Sequence, residues 1–305
     1  MFRSRSAVGF AAAAGAAALW AISGVFGKIL MMATVTPSQL VFYRSALGSV
    51  LLGTMLLPRG RTLLKVSLRD LPFLILLGVM GLALTQFFYY AAIQATSVGL
   101  AILLQYLAPL WIILFERLWR KKPISKTKIL ALALALSGCL LVSLPAGSGA
   151  QFSAKGLFFG VTAGICFASY GLMSQKALES HSETTVLFYS LLFTALFWGT
   201  FTSGIKLSWL AMSHFQFLLI LYVTVFGTLV PFFLFILALK RLEASQVGIV
   251  STLEPVLAAV IAWIRLGERL TFIQMIGGFL VVSAIVLLHT RQPELTREIT
   301  EATLS

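Results

Sequence analysis

Ten stretches of about 20 predominantly apolar residues, joined by short polar connections, fix what this chain can fold into. A helix needs about 20 such residues to cross the hydrocarbon core of a bilayer. The stretches lie at about 7–30, 37–57, 71–94, 97–116, 127–145, 155–177, 185–203, 215–239, 245–265 and 271–289. None of the connections has room for an extramembrane domain. The expectation is an all-α integral membrane protein with ten transmembrane helices.

Charge agrees with hydropathy. Charged residues make up 11% of the chain, against roughly 25% in soluble globular proteins. The net charge of +13 would suggest a nucleic-acid partner in a soluble protein. Here Lys and Arg gather in the short connections, where orientation by the positive-inside rule requires them. With the N-terminus cytoplasmic, the inside segments hold 17 Lys and Arg and the outside segments 5. The remaining one, Arg44, lies within helix 2. This asymmetry implies an even number of spans, both termini in the cytoplasm, and a multi-pass protein of the cell inner membrane. No nucleic-acid partner is expected. Arg3 and Arg5 before the first apolar run imitate a signal peptide. The run through Met31 is long enough to span, so it reads as an uncleaved first helix. Cys139 and Cys166 sit inside apolar runs, without partners at metal-ligand spacing, and read as small core residues.

An internal repeat organises the ten spans. Residue n pairs with roughly n+146. Trp20-Ala21-Ile22-Ser23-Gly24 then matches Phe167-Ala168-Ser169-Tyr170-Gly171. Phe42-Tyr43 matches Phe188-Tyr189, and Pro109 matches Pro255. Residues 7–145 and 155–289 each carry five spans, followed by a cytoplasmic tail at 290–305. An odd number per half forces the halves to run in opposite directions, which is the inverted repeat of many secondary transporters.

These residues carry a resemblance. Leu103-Leu104-Gln105-Tyr106-Leu107-Ala108-Pro109 resembles the fourth helix of EamA-type proteins in the drug/metabolite transporter superfamily. Glu254-Pro255, with Leu266-Gly267-Glu268-Arg269-Leu270-Thr271 and Gly277-Gly278 after it, resembles the family's second copy of that motif. Phe42-Tyr43-Arg44 is similar to its helix-2 signature. The resemblance covers about residues 7–289. It implies ten helices around a central cavity and export of amino acids or other small metabolites. Lys121-Lys122-Pro123 stands where the family often has Gly-Glu-Arg.

Among ten acidic residues, Glu254 alone lies deep within a predicted span. An intramembrane carboxylate is a functional candidate by default. Pro255 lacks an N–H and so frees a backbone carbonyl nearby. Carboxylate and carbonyl together suit a proton, a cation or a substrate amine; a structural glutamate bonded to a neighbouring helix is the competing reading. Arg44 is suited to a substrate carboxylate, or to snorkelling or holding two helices together. Pro109 and Pro255 read as a symmetric hinge pair for alternating access, or as simple kinks. Gln86 and Tyr90, four apart, share a face of helix 3 with Tyr89 nearby. Gln105, Pro109, Ile112 and Glu116 share a face of helix 4. Trp20, Tyr106, Tyr170 and Gln175 complete the candidates for a cavity wall, although Tyr and Trp near span ends also serve as interfacial anchors.

No Walker-type phosphate loop, HExxH motif or Ser/His/Asp grouping is readable. His181, His214 and His289 lie in loops or at a span end, which disfavours a His relay. The chain therefore reads as no enzyme, with no cofactor and no metal. The reading is a secondary transporter of small organic solutes working by alternating access, an exporter and a monomer, contacting membrane lipids and using protons as coupling ion. Its rivals are an importer or exchanger of a bulkier metabolite, such as S-adenosylmethionine or a nucleotide sugar, and an intramembrane enzyme acting on lipid.

Overall fold

A computed structural model describes residues 2–32, 35–56, 65–143, 153–201, 213–266 and 271–291. The Gly267-Glu268-Arg269-Leu270 motif, the 144–152 linker and the tail beyond Arg291 lie outside the described residues. Only helices occur among the described residues, as expected where hydrocarbon offers no partner for backbone N–H and C=O groups. The helices are α1 (Phe2–Met32), α2 (Pro37–Leu56), α3 (Leu71–Ala95), α4 (Val98–Leu118), α5 (Lys126–Ser143), α6 (Ala154–Ala177), α7 (Glu183–Phe201), α8 (His214–Leu239), α9 (Ala244–Ser251 and Leu253–Leu266) and α10 (Phe272–Thr290).

Nine of these are long and apolar enough to cross a membrane. The exception is α2, so the expected count of ten is not met by apolarity alone. The reason is local: α2 carries Gln39 and Arg44 within 20 residues. Its Arg44 is buried rather than offered to lipid. Large apolar side chains face outward instead: Phe272 and Phe279 of α10 are 73% and 72% exposed. Water would penalise an apolar belt of this kind, whereas lipid tails accept it. The chain is a multi-pass membrane protein.

The two halves are related by inversion. Equivalent helices α2 and α7 run antiparallel, with Phe42 facing Gly199 and Gly53 facing Phe188. Helices α5 and α10 do the same, with Gly138 against Val281 and Gly277 against Val142. A Cβ on Gly138 would stand 2.6 Å from the Gly277 carbonyl oxygen, so only glycine allows these backbones to meet, as small residues do in membrane helix packing. Two further cross-half contacts form an equivalent pair. Helix α1 packs on α8, with Ser23 facing Gly227, and α6 packs on α3, with Tyr170 facing Gly81.

Irregularities repeat too. Helix α3 passes through π-helical turns at Leu77–Ala83, and α8 does so at Val225–Leu229, ending 146 residues later. Helix α4 breaks after Gln105 and α9 breaks after Ser251, again 146 residues apart. Pro109 and Pro255 thus do not kink continuous helices, which was one of the two expectations from the sequence, the other being a hinge pair. They stand in the first turn of each second piece, where a missing N–H costs nothing and the fixed φ suits the helix start.

Candidate functional site

The irregular backbone positions the polar side chains. A π-turn shifts carbonyl pairing from i−4 to i−5 and leaves an oxygen without its usual partner. In α8 that region supplies both the Gly227 carbonyl and the Thr228 hydroxyl to Arg44. Arg44 Nε donates to Thr228 Oγ1 at 2.7 Å, Nη2 donates to Gly227 O, and Nη1 donates to Tyr90 Oη. The guanidinium also lies 5.5 Å from the centroid of the Tyr90 ring. Arg44 therefore joins α2 to α3 and α8. A guanidinium has five N–H donors. Three are used here, which leaves two for a ligand.

The broken helices carry the opposite charge. Glu254 stands in the first turn of the second piece of α9, where the aligned peptide dipoles favour an anion. Tyr106, at the break of α4, donates to Glu254 Oε2 at 2.6 Å. Tyr106 is the only described residue that bonds this carboxylate. Cys139 Sγ lies 3.7 Å from the Thr252 carbonyl oxygen, which the break exposes.

Arg44 and Glu254 line one cavity, together with Trp20, Ser23, Thr85, Gln86, Tyr89, Tyr90, Gln105, Phe167 and Phe232. Its empty volume is about 460 Å³, counting the part that opens to solvent. Among the described residues Arg44 and Glu254 form no ion pair with each other. Trp20 makes edge contacts with Phe167 and Phe232 at centroid distances of 6.0 and 5.1 Å, so three rings in contact form the aromatic part of the lining.

Seven of the sequence candidates line this cavity: Glu254, Arg44, Gln86, Tyr89, Tyr90, Gln105 and Trp20. Tyr106 stands behind Glu254. Tyr170 and Gln175 lie elsewhere. Tyr170 is fully buried and stacked on Phe235, and Gln175 Nε2 donates to the Leu242 carbonyl at 3.1 Å. Ser23, Thr85, Phe167 and Phe232 were not singled out. The repeat pairs Phe167 with Trp20 and Phe232 with Gln86, and that signal points to both rings.

The sequence pattern of the EamA-like transporter family matches residues 7–144 and again 154–290. The chain belongs to the EamA-like transporter family. It is similar to an uncharacterized transporter of Archaeoglobus fulgidus, at 31% identity over 68% of this chain and 75% of that protein. It is likewise similar to the threonine/homoserine exporter RhtA of Escherichia coli K12, at 31% identity over 79% and 78%. A solved crystal structure superposes with a TM-score of 0.78 at 18% identity, covering 96% of this chain and 98% of that one; this likeness establishes the shared fold.

Within this EamA-like transporter, ion pairs mark one end. All five among the described residues, Glu116–Lys122, Lys128–Glu243, Lys176–Glu179, Asp70–His181 and Glu183–Lys240, lie where α3, α5, α7 and α9 begin and α4, α6 and α8 finish. Lys128–Glu243 and Asp70–His181 link the two halves.

Proposed function

We propose that this protein exports small amino acids or related zwitterionic metabolites across the cell inner membrane by alternating access, with both termini cytoplasmic and protons as the coupling ion. One observation carries the reading: a buried arginine with two unused donors and a buried glutamate with an unused oxygen line the same cavity without neutralising each other. Two opposite, unpaired charges around a small space complement a ligand that carries both. The solute carboxylate binds Arg44, and its ammonium group approaches Glu254. When no solute is bound, Glu254 takes the coupling proton. Tyr89, Tyr90 and Gln105 complete the polar wall, and Trp20 closes the apolar one. The breaks before Pro109 and Pro255 permit the bending that moves access from one side to the other. Threonine and homoserine, for whose export the similar protein RhtA is named, are of this class.

The test is counterflow in proteoliposomes preloaded with one unlabelled amino acid at a time. Zwitterionic amino acids should drive entry of their labelled form. The matching amines without a carboxylate, and acids without an amine, should not. Equal counterflow by amine and amino acid would remove the role of Arg44 and with it the reading.

A further inference from the structure

The cavity holds more hydrogen-bonding capacity than a zwitterion's two charged groups consume. Gln86 is 4% exposed, and neither its Nε2 nor its Oε1 has a partner. Gln105 Oε1 is also buried without a partner. The small hydroxyls beside them are already satisfied on backbone: Ser23 Oγ donates to Trp20 O at 3.3 Å, and Thr85 Oγ1 donates to Gly81 O. Gln86 lies one helical turn before Tyr90, which holds Arg44, so it faces the cavity beside the carboxylate anchor. A buried amide with both atoms unpaired is unfavourable, and native proteins rarely retain one without a use.

We propose that Gln86, seconded by Gln105, selects the solute's side chain, and that the preferred solutes are neutral amino acids bearing a hydroxyl or a carboxamide. The chemistry follows from what Gln86 lacks. Nε2 needs an acceptor and Oε1 needs a donor. A hydroxyl supplies both at one atom, and a carboxamide supplies both at two. A carboxylate side chain can only accept, an ammonium can only donate, and an aliphatic chain can do neither. Sites that bond a ligand hydroxyl discriminate strongly against the analogue without it, because their own polar groups are then left unpaired. The inference rests on the amino-acid reading above.

Threonine and valine are near-isosteres that differ by this hydroxyl, so the experiment is their counterflow ratio in proteoliposomes. The wild-type protein should favour threonine over valine by at least about tenfold. In Gln86→Met, similar in length and without polar hydrogen-bonding capacity, the ratio should fall to within about twofold. Gln86→Asn keeps the amide one methylene shorter and should give an intermediate ratio. A wild-type ratio near one would overturn the selection while leaving amino-acid transport standing. So would variants that slow both solutes equally. Should Gln86→Met move nothing, the wild-type and Gln86→Asn ratios decide the matter. Absence of counterflow for every amino acid in the wild type would instead defeat the underlying reading.

Discussion

Tyr106 Oη donates a 2.6 Å hydrogen bond to Glu254 Oε2, and this bond joins the break in one repeat to the break in the other. Each residue stands where its helix loses regular pairing. In the proposed mechanism, a change in the charge of Glu254 would reach both discontinuities through this bond. The bond also breaks the symmetry of the fold, because the repeat partner of Glu254 is Ala108.

Glu254→Gln keeps the shape and an acceptor oxygen but cannot ionise. Accumulation driven by a proton gradient in vesicles should be lost, while counterflow of the same solute should persist at a reduced rate. Full gradient-driven accumulation by the variant would remove the coupling role. Tyr106→Phe leaves the carboxylate without its donor and should lower stability in detergent by about 1.5–3 kcal/mol, the usual worth of a hydrogen bond to a charged group.

The proposed function adds solute binding to the bonds by which Arg44 joins three helices, and substitutions should separate the two. Thr228→Val removes one acceptor on α8 and should cost about 1.5–3 kcal/mol in thermal unfolding, with a modest effect on solute affinity. Arg44→Lys keeps the charge, but an ammonium cannot serve three acceptors and a ligand carboxylate together. Solute binding by isothermal calorimetry should weaken by at least about tenfold, the equivalent of one lost charged hydrogen bond. Equal loss of affinity in both variants would show that Arg44 acts on the solute only through the fold.

Helices α5 and α10 meet through Gly138 and Gly277, where an added Cβ would stand 2.6 and 2.7 Å from the opposite carbonyl oxygen. Both partners are backbone, so neither can rotate aside. Gly277→Ala should force the helices apart and cost at least about 1–3 kcal/mol, the range for overpacking. The melting temperature of the purified protein in micelles is the readout. Gly199, which meets only the edge of the Phe42 ring at 3.3 Å, should tolerate alanine better.

The spans were legible because hydrocarbon admits little but helices and because the repeat supplies a second, independent register. The breaks at Tyr106 and Thr252 were not, since a proline in an apolar run looks alike whether it kinks a helix or begins one. Polarity placed Gln86 and Gln105 correctly toward the interior. It misplaced Gln175, which reaches a carbonyl at the helix end. It also misplaced Tyr170, whose ring is packed among Phe232 and Phe235. Periodicity shows which face of a helix is inside but not which part of that face meets a cavity. Thr85 and Ser23 gave no signal of their own, because hydroxyls bonded to their own helix occur throughout membrane spans.

Lys128 of α5 is almost wholly buried and lies 2.5 Å from Glu243 Oε2. Glu243 also caps the first piece of α9. The repeat partners of this pair are Gln274 and Ser97, both neutral; Ser97 caps the first piece of α4 by accepting from Leu100 N. The ionic link thus exists at only one end of the bundle, and it ties the first half to the short helix that leads to Glu254. Removing Glu243 leaves the buried Lys128 charge uncompensated, whereas removing Lys128 leaves Glu243, whose side chain is 29% exposed and partly solvated. Glu243→Gln should cost about 3–5 kcal/mol and Lys128→Met less, whereas the double variant should lose clearly less than the sum, because neither charge is then stranded. A double-mutant cycle from thermal unfolding measures the difference, and strict additivity would mean that the two charges are not coupled.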